Sequence, residues 1–273
     1  MGVDGVPAPV ELAIHQHTSL GPWPGTLVRR AEVGPRERTT VAGVPVATPA
    51  RALLDEIRTR GRLWPAVQAI DMTAAARLLS VWLFAEFLWW CHARTGVGLA
   101  RHAASLAVDE SRSPRESWLR LVWQLVAGLP DPLVNAPVYD LGGRLIGVPD
   151  LFDPAAGLVG EYAGAIHRSR SRHRRDRVRE ERFRDHGLEY AEIVAGDSRS
   201  AAAGRLLGAR KRAPFLSPER RAWTLDRPAW DPAPETLDDY FDRTGQAAAI
   251  RACEGAPLSG ADTWIPGRPP EGR

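Results

Sequence analysis

Asp150 and Glu161 are the residues best placed for chemistry in this chain. Each sits in an apolar run that reads as a strand, Val148-Pro149-Asp150-Leu151-Phe152 and Leu158-Val159-Gly160-Glu161-Tyr162, and the turn Asp153-Pro154-Ala155-Ala156-Gly157 joins the two. A charge among apolar neighbours is costly unless it is paired or ligating. Two acids eleven positions apart on strands joined by a tight turn can point their oxygens at one spot, which is how a hard divalent cation is held. His167 follows, a side chain that changes charge near neutral pH. Between Arg168 and Arg184 there are nine arginines against three acids, within a chain whose formal net charge is only +3. Positive charge focused in this way suits a polyanion such as DNA.

The elements that must position these groups follow from the surrounding pattern. Ser113-Pro114-Arg115-Glu116 reads as a capping box with proline at the first helical turn. Leu119, Val122, Trp123, Leu125 and Val126 continue at helical spacing until Gly128. A strand from Leu133 to Tyr139, the turn Asp140-Leu141-Gly142-Gly143 and a strand from Arg144 to Phe152 predict a hairpin. Leu158 to Tyr162 is the third strand. A helix from about Ser171 to His186, a strand from Leu188 to Val194 and a helix from Ser198 to Ala209 complete an order α-β-β-β-α-β-α. The fold class expected is α/β (α+β), a mixed sheet with helices packed on it.

Around this region, 1–100 reads as short strands followed by helices. Thr48 caps a helix that has Pro49 at its first position, and an apolar helix over 80–92 carries Trp82, Phe84, Phe87, Trp89 and Trp90. That helix is expected to be core, or a contact surface for a protein partner or a second copy. The small and polar stretch from Thr95 to Arg112 reads as a domain link. Residues 213–273 form a proline-rich, largely irregular extension, with Trp223, Trp230 and Trp264 as candidate anchors and Glu235 to Cys253 as its one helical candidate. The two cysteines, Cys91 and Cys253, show no zinc-type spacing and fit a reducing compartment. The longest apolar run is too short to span a bilayer, and the opening residues lack the pattern of a secretory signal. The expectation is a cytoplasmic protein without membrane association.

The pieces Ser113-Pro114-Arg115-Glu116-Ser117, Val148-Pro149-Asp150-Leu151, Glu161-Tyr162-Ala163-Gly164 with His167, and Arg175-Asp176-Arg177 leading to His186-Gly187 resemble the Vsr-like endonuclease domains of the PD-(D/E)XK, restriction-endonuclease-like superfamily. The resemblance covers about 105–212. Val41-Ala42-Gly43-Val44-Pro45-Val46-Ala47-Thr48-Pro49-Ala50-Arg51-Ala52-Leu53-Leu54-Asp55 resembles the later part of AbiEi-type antitoxin modules. The resemblance implies hydrolysis of DNA phosphodiesters with Mg²⁺ (or Mn²⁺), in defence, repair or toxin-antitoxin biology. Asp150 and Glu161 would be the metal ligands and Glu116 would hold a metal-bound water through the outer shell. His167 would be a proton-transfer group or phosphate ligand. Arg168, Arg170, Arg172, Arg174 and Arg175 would contact the DNA backbone without reading sequence.

The chain departs from the family at two points. The family motif generally reads Glu-Tyr-Asp-Gly, whereas Ala163 stands at the third position here, and the superfamily lysine two residues after the second acid is absent, Lys211 being the only lysine. Two functions stay open: a Mg²⁺-dependent endonuclease, and a non-catalytic DNA-binding or antitoxin-like regulator retaining the nuclease fold.

Overall fold

The computed structural model describes residues 9–15, 17–21, 23–91, 94–164 and 170–254. The architecture is mixed α and β, with helices and four small sheets among the described residues.

The N-terminal part begins with β1 (Val10–Ile14) and β2 (Thr26–Arg30), paired in parallel, and the hairpin of β3 (Arg38–Val41) and β4 (Val44–Ala47). Four helices follow: α1 (Pro49–Arg60), α2 (Leu63–Ala75), α3 (Val81–Trp90) and α4 (Val97–Ala104). Thr48 caps α1 as its sequence predicts, its Oγ1 accepting from Arg51 N at 3.3 Å. Leu53, Ile57, Val67, Ile70, Phe84, Leu88 and Ala100 build one core between these helices.

Two expectations change here. The stretch from Thr95 to Arg112 contains α4, which buries Val97, Ala100, Ala103 and Ala104. Small residues read as linker composition, but their short side chains let α4 pack closely on its neighbours. The apolar helix α3 turns Leu83, Phe84, Phe87 and Leu88 inward and exposes only its end, Trp89 and Trp90. It is therefore mainly core, with these two rings exposed at its end.

The second part starts at α5 (Pro114–Leu121), capped by Ser113. Its final turn widens into π geometry over Val122–Val126, with Ala127 N bonding Val122 O at 2.9 Å. Next come β5 (Leu133–Val134), β6 (Val138–Asp140), β7 (Leu145–Gly147), β8 (Leu151–Asp153) and β9 (Leu158–Ala163). The basic helix α6 (Arg170–Asp185), β10 (Glu189–Val194) and α7 (Arg199–Arg212) complete the series. The main sheet has the order β10-β9-β8-β5, with β9 antiparallel to β8 and parallel to β10 across the α6 crossover.

The expected hairpin between 133 and 152 exists but is bent into two sheets. Its turn-proximal halves, β6 and β7, pair with each other, while its open end, β5 and β8, belongs to the main sheet. Pro149 cannot donate a ladder hydrogen bond, and Asn135 adopts a positive φ of 49° on the opposite arm. Asp150 therefore occupies the corner just before β8, not the body of a strand. Two glycines permit close packing on this framework. A Cβ at Gly147 would lie 2.6 Å from the Phe183 ring of α6, and one at Gly160 would lie 3.1 Å from the Trp123 ring.

The chain then returns to both parts. β11 (Trp223–Thr224) pairs antiparallel with β6, and α8 (Leu237–Arg243) and α9 (Gln246–Glu254) pack on the N-terminal helices. Phe241 is fully buried in that core. Between Trp223 and Glu254 the extension thus carries more regular structure than its proline content suggests. Trp223 anchors it in the core, exposed Trp230 donates its Nε1 hydrogen to Gly143 O at 3.1 Å, and Trp264 lies outside the described residues. Among the described residues no helix is long and apolar enough to cross a membrane.

Candidate functional site

Antiparallel register decides which acids meet. Leu151 faces Gly160 across β8 and β9, so the next step outward brings Asp150 opposite Glu161. Asp150 Oδ2 accepts the Tyr162 backbone N–H at 2.8 Å, and its own carbonyl accepts from Asn135 N at 3.2 Å. Burial raises the pKa of Asp150. The Tyr162 N–H works against that shift, the nearby Glu116 carboxylate adds to it, and Arg179 and Arg112 oppose it.

Glu116 reaches the site from α5. Its backbone N–H bonds Ser113 Oγ at 3.2 Å, while Oε2 accepts from Arg112 N and from Asn135 Nδ2, both at 2.8 Å. The Ser113 half of the expected capping box is present, but the Glu116 carboxylate takes the Arg112 N–H instead of that of Ser113, and through Asn135 it ties α5 to the corner that carries Asp150. Asn135 had no part in the sequence reading. The available signal was an asparagine, tolerant of positive φ, two residues before Pro137 in a stretch otherwise read as strand.

Glu161 is held from the other face of the sheet. Its Oε1 accepts from Arg179 Nη2 of α6, and its Oε2 accepts from the Tyr190 hydroxyl at 3.3 Å. The same Nη2 also donates to Val148 O, in the segment leading to Asp150. One guanidinium therefore bridges the two chain segments that carry the two acids. Burial and the Glu161 charge push the Tyr190 hydroxyl pKa far up, so Tyr190 acts as a neutral donor.

The structure brings Asp150, Glu161 and Glu116 into one neighbourhood. His167 and Arg168 lie outside the described residues, and Arg170, Arg172, Arg174 and Arg175 fall on α6, whose side chains are described only from Val178 onward. Among the described residues, no group of three His, Cys, Asp or Glu side chains is arranged to hold a metal ion.

The donor set agrees with that. Asp150 Oδ1 accepts no hydrogen bond from a described residue, but Glu161 already spends one oxygen on Arg179 and the other on Tyr190. Residue 163, where a third carboxylate would stand, offers only a methyl group. A divalent ion would have to displace a cation already in place. As arranged, these described side chains do not fit a Mg²⁺ ion.

Comparison of the chain with family models, with curated proteins and with solved structures finds no match.

Proposed function

We propose that this chain is a DNA-binding protein built on a restriction-endonuclease-like, Vsr-like scaffold, and that its acid pair is neutralised internally instead of by a catalytic metal. The observation that carries this reading is Arg179, which bonds both Glu161 and the Val148 carbonyl and so fills the place between the two acid-bearing segments. Support for the scaffold comes from the order of elements: a capped helix, a bent antiparallel hairpin, a third strand, a crossover helix and a parallel fourth strand. Support for DNA as partner comes from the nine arginines between 168 and 184, carried largely on α6 beside that acid pair. An antitoxin-like regulatory role in the cytoplasm fits the residues around Val41 to Asp55.

A second reading, a Mg²⁺-dependent endonuclease, is favoured by the convergence of Asp150, Glu161 and Glu116 and by the raised pKa of Asp150. Incubating supercoiled plasmid with Mg²⁺ or Mn²⁺ separates the two. The expected result is salt-sensitive DNA binding without nicking, by the parent chain and by Asp150→Ala alike. Nicking by the parent that Asp150→Ala abolishes would overturn the non-catalytic reading. DNA binding that does not weaken as salt rises would remove the arginine helix as a phosphate-contacting surface.

A further inference from the structure

On the opposite face of β9 from Glu161, five side chains from four separate elements form a continuous stripe. Arg199, the first residue of α7, places its guanidinium 3.9 Å from the Trp64 ring of α2. Trp64 meets Trp118 of α5 edge to face at 6.5 Å, and Trp118 meets Tyr162 of β9 edge to face at 6.1 Å. Arg115, one turn before Trp118, lies over the Tyr162 ring at 5.7 Å. The three rings are half-buried and both arginines are exposed.

Packing on the core explains the inner edges of these rings. It does not explain the two cations at the ends. Neither Arg115 nor Arg199 forms an ion pair with a carboxylate among the described residues, and each guanidinium instead lies over a ring. A guanidinium held over a ring is fixed in direction while its charge remains available. The stripe also ends at the acid site: Tyr162 gives its N–H to Asp150, and Arg115 precedes Glu116.

We infer that this stripe is a binding surface for single-stranded DNA, with unpaired bases against the half-buried rings and phosphates on Arg115 and Arg199. Duplex DNA keeps its base faces stacked on one another, so only an unpaired strand can use aromatic side chains in this way. The inference rests on the DNA-binding reading above and deepens it, because the stripe ends at Tyr162, whose N–H bonds Asp150.

The test uses fluorescence anisotropy of the full chain with labelled dT20 and with a mixed-sequence duplex of equal length, at matched salt. In the double variant Arg115→Gln/Arg199→Gln, whose altered side chains are exposed, the ratio of single-strand to duplex affinity is expected to fall about tenfold. Trp118→Leu, checked for folding by circular dichroism, is expected to lower the same ratio by a similar factor. Quenching of tryptophan fluorescence by dT20 should shrink in that variant. Variants that weaken both DNA forms equally, or neither, would overturn the stripe as a single-strand surface while leaving DNA binding intact. A parent chain that binds neither form would overturn the DNA-binding reading itself.

Discussion

Arg120 and Arg179 each join a helix to a carboxylate on a distant element, in opposite surroundings. Arg120 of α5 meets Asp71 of α2 at 2.6 Å, with side chains only 1% and 0% exposed. Asp71 Oδ1 also accepts from Val108 N at 2.9 Å, and Arg120 donates to the Leu106 carbonyl and to Gln124. Arg179 and Glu161 are 37% and 12% exposed, at the edge of the site. The first pair welds the N-terminal helices to the second part, and water cannot replace either partner. The second can open at small cost, since solvent reaches the cation. The same chemistry is structural in one place and available for binding in the other.

Breaking the first pair is the sharpest test of the contrast. Asp71→Ala leaves Arg120 charged and buried, and should lower the unfolding free energy by about 3–5 kcal/mol in urea denaturation. A loss no larger than that of Arg179→Gln would erase the distinction.

Asp109 shows what a carboxylate does in the helical part without an arginine. Burial is the main cause that raises its pKa to about 6; Asp238, Glu110 and Asp71 add to the shift, and the Val81 N–H, accepted at 2.8 Å, opposes it. The folded state therefore holds this proton more tightly than the unfolded chain does. Its contribution is full below the unfolded pKa of 3.8 and is lost as pH rises through about 6. The loss across that window is on the order of 3 kcal/mol. Asp109→Asn should flatten that slope in unfolding free energies measured from pH 4 to pH 7, and should leave the chain more stable than the parent at pH 7.

The smallest stability effect is expected at the second pair. Arg179→Gln should cost no more than about 1 kcal/mol in the same denaturation assay, because the guanidinium is partly solvated. Its visible consequence lies elsewhere: calorimetric titration with Mn²⁺ should show tighter binding than in the parent, and adding Asp150→Ala should remove the gain. Equal Mn²⁺ affinity in parent and Arg179→Gln would mean that the guanidinium does not guard the carboxylates.

The approach of Asp150 to Glu161 was legible because a tight turn between two apolar runs fixes antiparallel register. Ser113 was legible as the cap of α5 because capping is local, whereas the Glu116 carboxylate turned to Arg112 N and Asn135. What the sequence hid was non-local. Arg179 is one of nine arginines in its run, and only the angle of α6 across the sheet selects it. Asn135 bends a strand through a contact to Glu116, nineteen residues away. The helix α4 was misread because alanine and glycine mean linker or close packing according to what lies opposite them. Phe241 sits in a proline-rich region, and its burial depends on a core built almost entirely from residues before 105.

That last contact bears on how the chain reaches its fold. Ser80 Oγ donates to Asp238, Arg251 pairs with Glu86 at 2.9 Å, and the Arg77 guanidinium lies 4.0 Å from the Tyr240 ring centroid, so residues about 160 apart in sequence close the N-terminal core. Closing such long loops is entropically slow. During synthesis the four N-terminal helices would leave the ribosome long before Phe241 arrives to seal them, and would wait with apolar surface open until translation reached α8.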